Sequence, residues 1–201
     1  MRTSVIPWCL LIILPVRADH QQGLVDLKDT LLARELSQVG GYPEMARPLG
    51  YHDVEAAPIF SWGPGHTQFR TEDLRVRIES QPFEPSADIR WKKDHALLDG
   101  VPMIGWWTDA ANMRLSQVEV VVDGLVLSPP VESTIDVFAP RPCEAYGNRV
   151  LQFSSVARSR DGARIYVQVL AGQGEQARLV TWVFEEGHYL CRVIDRFRVP
   201  G

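Results

Sequence analysis

From residue 72 onward the chain alternates. Leu74, Val76 and Ile78 are separated by Arg75, Arg77 and Glu79, so apolar side chains recur at every second position. That spacing belongs to a strand with one face buried and one face wet. The pattern returns at Val118, Val120 and Val122, breaks at Asp123-Gly124, and resumes at Leu125 and Leu127. An Asp-Gly pair supplies the positive φ angles of a tight hairpin turn. Pro129-Pro130 then ends the second strand, since proline cannot donate to a ladder.

Two more hairpins are predicted downstream. Val150 to Ala157 pairs with Ala163 to Leu170 around Arg160-Asp161-Gly162, and Leu179 to Phe184 pairs with Tyr189 to Ile194 around Glu186-Gly187. Short strands are expected at Ile89–Trp91 and Ile104–Thr108. Short strands with a turn signal every 8–12 residues or so predict a mainly β fold, an antiparallel β-sandwich or a barrel-like variant. No long helix separates the strands, which disfavours a parallel sheet. The later strands are apolar on both parities. Ile165, Val167 and Val169 alternate with Tyr166 and Leu170, as expected of strands covered on both faces.

The chain opens differently. Met1 and Arg2 precede an uncharged apolar run, Val5 to Val16, and Val16-Arg17-Ala18 then places small side chains where a signal peptidase requires them. Residues 1–18 therefore predict a secretory signal cleaved near Ala18, and a secreted or periplasmic protein. A run of about 12 residues is short for a membrane span, which needs ~20, and no other segment is long enough. Arg2 and Arg17 leave with the signal, so the 21 basic and 25 acidic residues become 19 against 25. An acidic chain without a basic cluster is a poor nucleic-acid partner.

Residues 19–70 are expected to hold an N-terminal amphipathic helix and an irregular connection, and 71–201 the β-rich domain. Leu24, Leu27, Leu31, Leu32, Leu36 and Val39 form one apolar stripe at helical spacing. Gly40-Gly41 and Pro43 stop it. The stripe suits packing against the protein's own sheet. Tyr42-Pro43, Arg47-Pro48 and Trp62-Gly63-Pro64-Gly65 punctuate the connection.

Cys143 and Cys191 remain after cleavage. An isolated pair in an oxidising compartment predicts a disulfide. No Cys-x-x-Cys and no histidine pattern accompanies them, so neither a metal nor any other cofactor is expected.

The familiar catalytic, phosphate-binding and dinucleotide-binding motifs do not occur. Trp106-Trp107 is the most suggestive pair for ligand binding. Adjacent strand residues point to opposite faces, so one indole can fill the core while the other stacks on a sugar ring beside Thr108 and Asp109. Trp62 and Trp91 would extend such a platform, although the same indoles equally suit a core. Glu185-Glu186 at a turn invite a glycosidase reading, and turn acids are ordinarily just solvated. His52-Asp53 and Asp94-His95 diverge if extended. These observations predict a non-catalytic binding or interaction module for a glycan, a cell-envelope component or a protein. The alternative is a small secreted hydrolase with a dispersed acid and histidine site.

Overall fold

A computed structural model describes residues 38–39, 47–48, 54–83, 89–92, 95–98, 100–105, 113–147 and 149–196. They form strands joined by turns, with no α-helix among the described residues. In chain order the strands are β1 (Gln38–Val39), β2 (Arg47–Pro48), β3 (Val54–Ala56), β4 (Ile59–Gly63), β5 (His66–Arg70) and β6 (Leu74–Pro82). Next come β7 (Ile89–Lys92), β8 (His95–Leu98), β9 (Val101–Pro102), β10 (Met113–Val122) and β11 (Leu125–Leu127). The last are β12 (Cys143–Tyr146), β13 (Arg149–Gln152), β14 (Ser154–Ser159), β15 (Arg164–Ala171), β16 (Arg178–Glu185) and β17 (His188–Arg196).

Two five-stranded antiparallel sheets dominate. Sheet I has the order β11-β10-β6-β5-β4 and sheet II the order β17-β16-β15-β14-β3. β1–β2, β12–β13 and β7–β8–β9 are small ribbons beside them. Both large sheets end in edge strands, and neither closes into a barrel. Phe69, Val76, Ile78, Val118 and Val120 of sheet I share one buried cluster with Val156, Val167, Val169, Val180, Trp182 and Phe184 of sheet II. Two apolar sheet faces meeting in one core is an arrangement consistent with the expected sandwich.

The expected hairpins appear. Asp123 (φ 50°) and Gly124 (φ 79°) turn β10 into β11, and Glu186 (φ 48°) and Gly187 (φ 78°) turn β16 into β17. Two successive positive φ angles mark the turn whose twist matches the flanking strands. Val150 to Ala157 is not one strand, however. Arg149–Gln152 pairs with β12, and only Ser154–Ser159 pairs with β15.

The punctuated stretch 54–70 holds β3, β4 and β5 where the sequence predicts an irregular connection. A β-bulge at Phe60 hides the alternation there. Ile59 lies opposite Phe69, whereas Ser61 lies opposite Gln68 and Trp62 opposite Thr67. One extra residue on the bulged strand shifts the parity of everything after it. The predicted helix of residues 22–39 lies outside the described residues except for Gln38 and Val39, which are in β1. The predicted signal, residues 1–18, also lies outside them. No helix among the described residues is long and apolar enough to cross a membrane.

The predicted disulfide is not formed. Cys143 and Cys191 are not bonded to one another. Cys143 follows Pro142, whose carbonyl accepts from Phe153 N and Ser154 Oγ beside β14. Cys191 lies opposite Val183 on β17, at the other side of sheet II. From β15 to β17 alone the two strand spacings amount to about 10 Å, beyond the ~7 Å Cα separation that a disulfide tolerates. Cys191 instead packs against the cluster of Tyr166, Val183 and Val193. Burial pushes its thiol up to about 11.

Among the described residues, one ion pair lies inside the molecule. Arg192 donates from Nη1 to Asp136 Oδ1 (2.5 Å) and from Nη2 to Oδ2 (2.9 Å), with side-chain exposures of 6% and 2%. Its Nη1 also donates to the Ser133 carbonyl, which accepts from Trp182 Nε1 as well. The loop after β11 is thereby bolted to β16 and β17 of sheet II.

Candidate functional site

Of the four residues singled out for ligand binding, Trp106, Trp107 and Asp109 lie outside the described residues. Trp62 is described. It stands on β4, the edge strand of sheet I among the described residues, and is 38% exposed. The bulge places it opposite the buried Thr67, at the lip of the core.

Phe60, the bulged residue, is 61% exposed. The Arg70 guanidinium sits 5.2 Å from the centre of its ring. By residue type Phe60, like Tyr51, Ile59, Trp62 and Phe69, is expected to be too apolar to stay in water, but the bulge leaves it exposed.

The wet face of sheet I can be read row by row from the register. One row runs from Arg70 on β5 to Arg75 on β6, Val121 on β10 and Val126 on β11. The next holds Gln68, Arg77 and Glu119, and the third His66, Glu79 and Gln117. Arg77 is ion-paired to Glu79, and Gln117 is hydrogen-bonded to Glu119. Neither Arg70 nor Arg75 has a carboxylate partner among the described residues. They are direct cross-strand neighbours, both exposed. Like charges so placed repel. The signal was legible in principle, since the two arginines flank the turn of a hairpin.

A groove of about 320 Å³ opens at one end of the molecule, between Val122, Leu125 and Leu127 of sheet I and Ile165 and Phe184 of sheet II. Asp123, Arg158 and Glu186 are its charged lining. Arg158 is tied to Asp73, whose carboxyl is held below the usual range by hydrogen bonds from Thr71 and then Arg158. A smaller hollow of about 260 Å³ lies at the corner where β3 passes into β4, between Pro58, Gln152 and Ser155.

Of the acids named from sequence, Asp123 and Glu186 line the end groove together, while Glu185 and Asp161 are engaged by neighbours. Glu185 receives Arg164 Nε at 2.6 Å. Glu186 is a turn residue, and its carbonyl lies 2.9 Å from His188 Nδ1. Asp161 accepts from Ser159 Oγ and Ala163 N, which fixes its own turn. No group of three metal-ligating side chains occurs among the described residues.

A scan against protein-family models, a search of curated proteins and a search of solved structures each return no match to this chain.

Proposed function

We propose that this chain is an exported β-sandwich protein, released from its signal near Ala18, that acts as a non-catalytic binding module for a glycan. In this reading the N-terminal segment closes the sandwich as an amphipathic helix. The observation that carries the reading is the β4 edge, where Phe60 stands exposed beside the polar outer face of sheet I and Trp62 is partly exposed at the lip of the core. An apolar ring next to hydrogen-bonding groups matches a sugar, whose ring carbons form one face and whose hydroxyls form the rim. Trp106, Trp107 and Asp109 are proposed members of the same ligand-binding set. Cell-envelope components and protein partners are the neighbouring possibilities within this class.

Titration of the full chain with soluble polysaccharides, followed by intrinsic tryptophan fluorescence, tests the reading. Saturable quenching that is lost in Trp62→Ala supports it. Release of reducing ends overturns it. The hydrolase would then be the correct reading, and it has one observation of its own: Asp123 and Glu186 both line the end groove. Silence across the panel also overturns the glycan reading and leaves a protein partner.

A further inference from the structure

We infer that the ligand of the β4–β5–β6 face is an acidic glycan, a chain whose sugars carry carboxylates, and that Arg70 and Arg75 bind the carboxylate while Phe60 takes the sugar ring. The inference rests on the binding-module reading and adds the charge of the ligand. Arg70 and Arg75 are cross-strand partners on the wet face, a position where like charges raise the energy of the free protein. Neither is neutralised by a carboxylate of this chain among the described residues. Arg158, Arg164, Arg141 and Arg192, by contrast, each meet an acid. An anion lying between the pair would relieve the repulsion, and a guanidinium fork matches the two oxygens of a carboxylate.

The neighbours narrow the ligand further. Arg70 stacks on Phe60, so a charged fork and an apolar ring stand side by side at an open edge. A uronate presents a carboxylate and a ring face within one unit. The next rows of the sheet contain Glu119 and Glu79, so the positive strip is one row deep. Double-stranded DNA carries one charge per ~1.7 Å and would meet those glutamates repeatedly, whereas a glycan with one carboxylate per sugar is charged more sparsely.

The test is isothermal titration of the full chain with polygalacturonate, with dextran as the neutral glycan and with poly-glutamate and duplex DNA as other polyanions. Arg70→Gln, Arg75→Gln and Phe60→Ser are the variants. Arg178→Gln, at the far end of β16 from the Arg158–Asp73 contact, is the control. The inference expects binding to polygalacturonate that weakens with salt, falls at least about tenfold in each patch variant, and is unchanged in Arg178→Gln. Circular dichroism confirms that the variants fold. Equal binding to polygalacturonate, poly-glutamate and DNA overturns the inference in favour of plain charge attraction. Patch variants that bind like wild type also overturn it. Trp62-dependent binding of dextran without polygalacturonate binding would overturn the acidic ligand while leaving the binding-module reading intact.

Discussion

Replacing Arg192 by Met should be among the most damaging single changes outside the apolar core. Methionine keeps much of the volume and removes the charge. Asp136, 2% exposed, then loses both bonds from the guanidinium, at 2.5 and 2.9 Å, and the Ser133 carbonyl loses one of its two donors. Breaking a buried ion pair from one side costs about 3–5 kcal/mol, because the remaining charge is left without a partner. A domain has only about 5–15 kcal/mol in total, so the variant should lose a large share of its stability. Urea unfolding followed by tryptophan fluorescence measures this, and Trp182, fully buried, sits beside the perturbed bond. Asp136→Leu with Arg192→Met should recover most of the loss, because neither charge remains to be buried. A single-variant loss below about 1 kcal/mol, or a double variant as unstable as the sum of the singles, would refute the claim that the pair is desolvated and mutually dependent.

Other expectations follow from single contacts. Gly172→Ala should destabilise by about 2 kcal/mol or more, since its Cβ would lie 2.2 Å from the Gly105 carbonyl oxygen at a φ of +75°; a thermal melt within about 2 °C of wild type would contradict that. Thr67→Val should be neutral or stabilising by up to about 1 kcal/mol, because the Thr67 hydroxyl is buried without a hydrogen-bond partner; a clear loss on urea unfolding would show that the hydroxyl has one. Cys191 should react slowly with a thiol reagent in the native protein and rapidly in urea. Its folded value of about 11 lies above the ordinary 9.0, so only the unfolded thiol ionises between them. Stability should therefore fall as pH rises from about 9 to 11, and Cys191→Ala should lessen that slope. A slope unchanged in the variant would sink the assignment.

The parts of the fold legible in the sequence are those where one strand face is wet. Leu74 to Glu79 and Val118 to Val122 alternate cleanly because sheet I has a solvated side. The Asp123-Gly124 and Glu186-Gly187 turns were legible because few residue pairs accept two positive φ angles. β4 was not legible, since one bulged residue cancels its period. The disulfide expectation failed for a different reason: residue spacing along a chain says nothing about how many strands lie between two side chains. Of the candidate site, Trp62 was found from its residue type. Phe60, Arg70 and Arg75 acquire meaning only from cross-strand register, which a single sequence does not display.

Register also decides which surface is free to work. On sheet II both parities are closed: Val167 and Trp182 face the shared core, while Tyr166, Gln168, Thr181 and Val183, pointing the other way, are also buried. Neither face of its central strands can meet a large ligand without being uncovered. Sheet I has only its inner face closed, and Arg70, Arg75 and Arg77 stand exposed on the outer one. An antiparallel face open to water is a common enough outcome and needs no function. What singles this one out is its edge. An edge strand carrying exposed apolar side chains invites unwanted pairing unless it is blunted, and β4 is blunted by the bulge that turns Phe60 out beside Arg70. The device that protects the edge therefore also presents an aromatic ring next to two uncompensated positive charges. If the bulge serves recognition as well as protection, deleting Phe60 should abolish polygalacturonate binding, since it removes the ring beside Arg70 and restores regular pairing. It should at the same time leave unfolding by urea cooperative. Loss of cooperative unfolding in that deletion would show instead that the bulge is needed to seat Trp62 against Thr67, and that its role is structural.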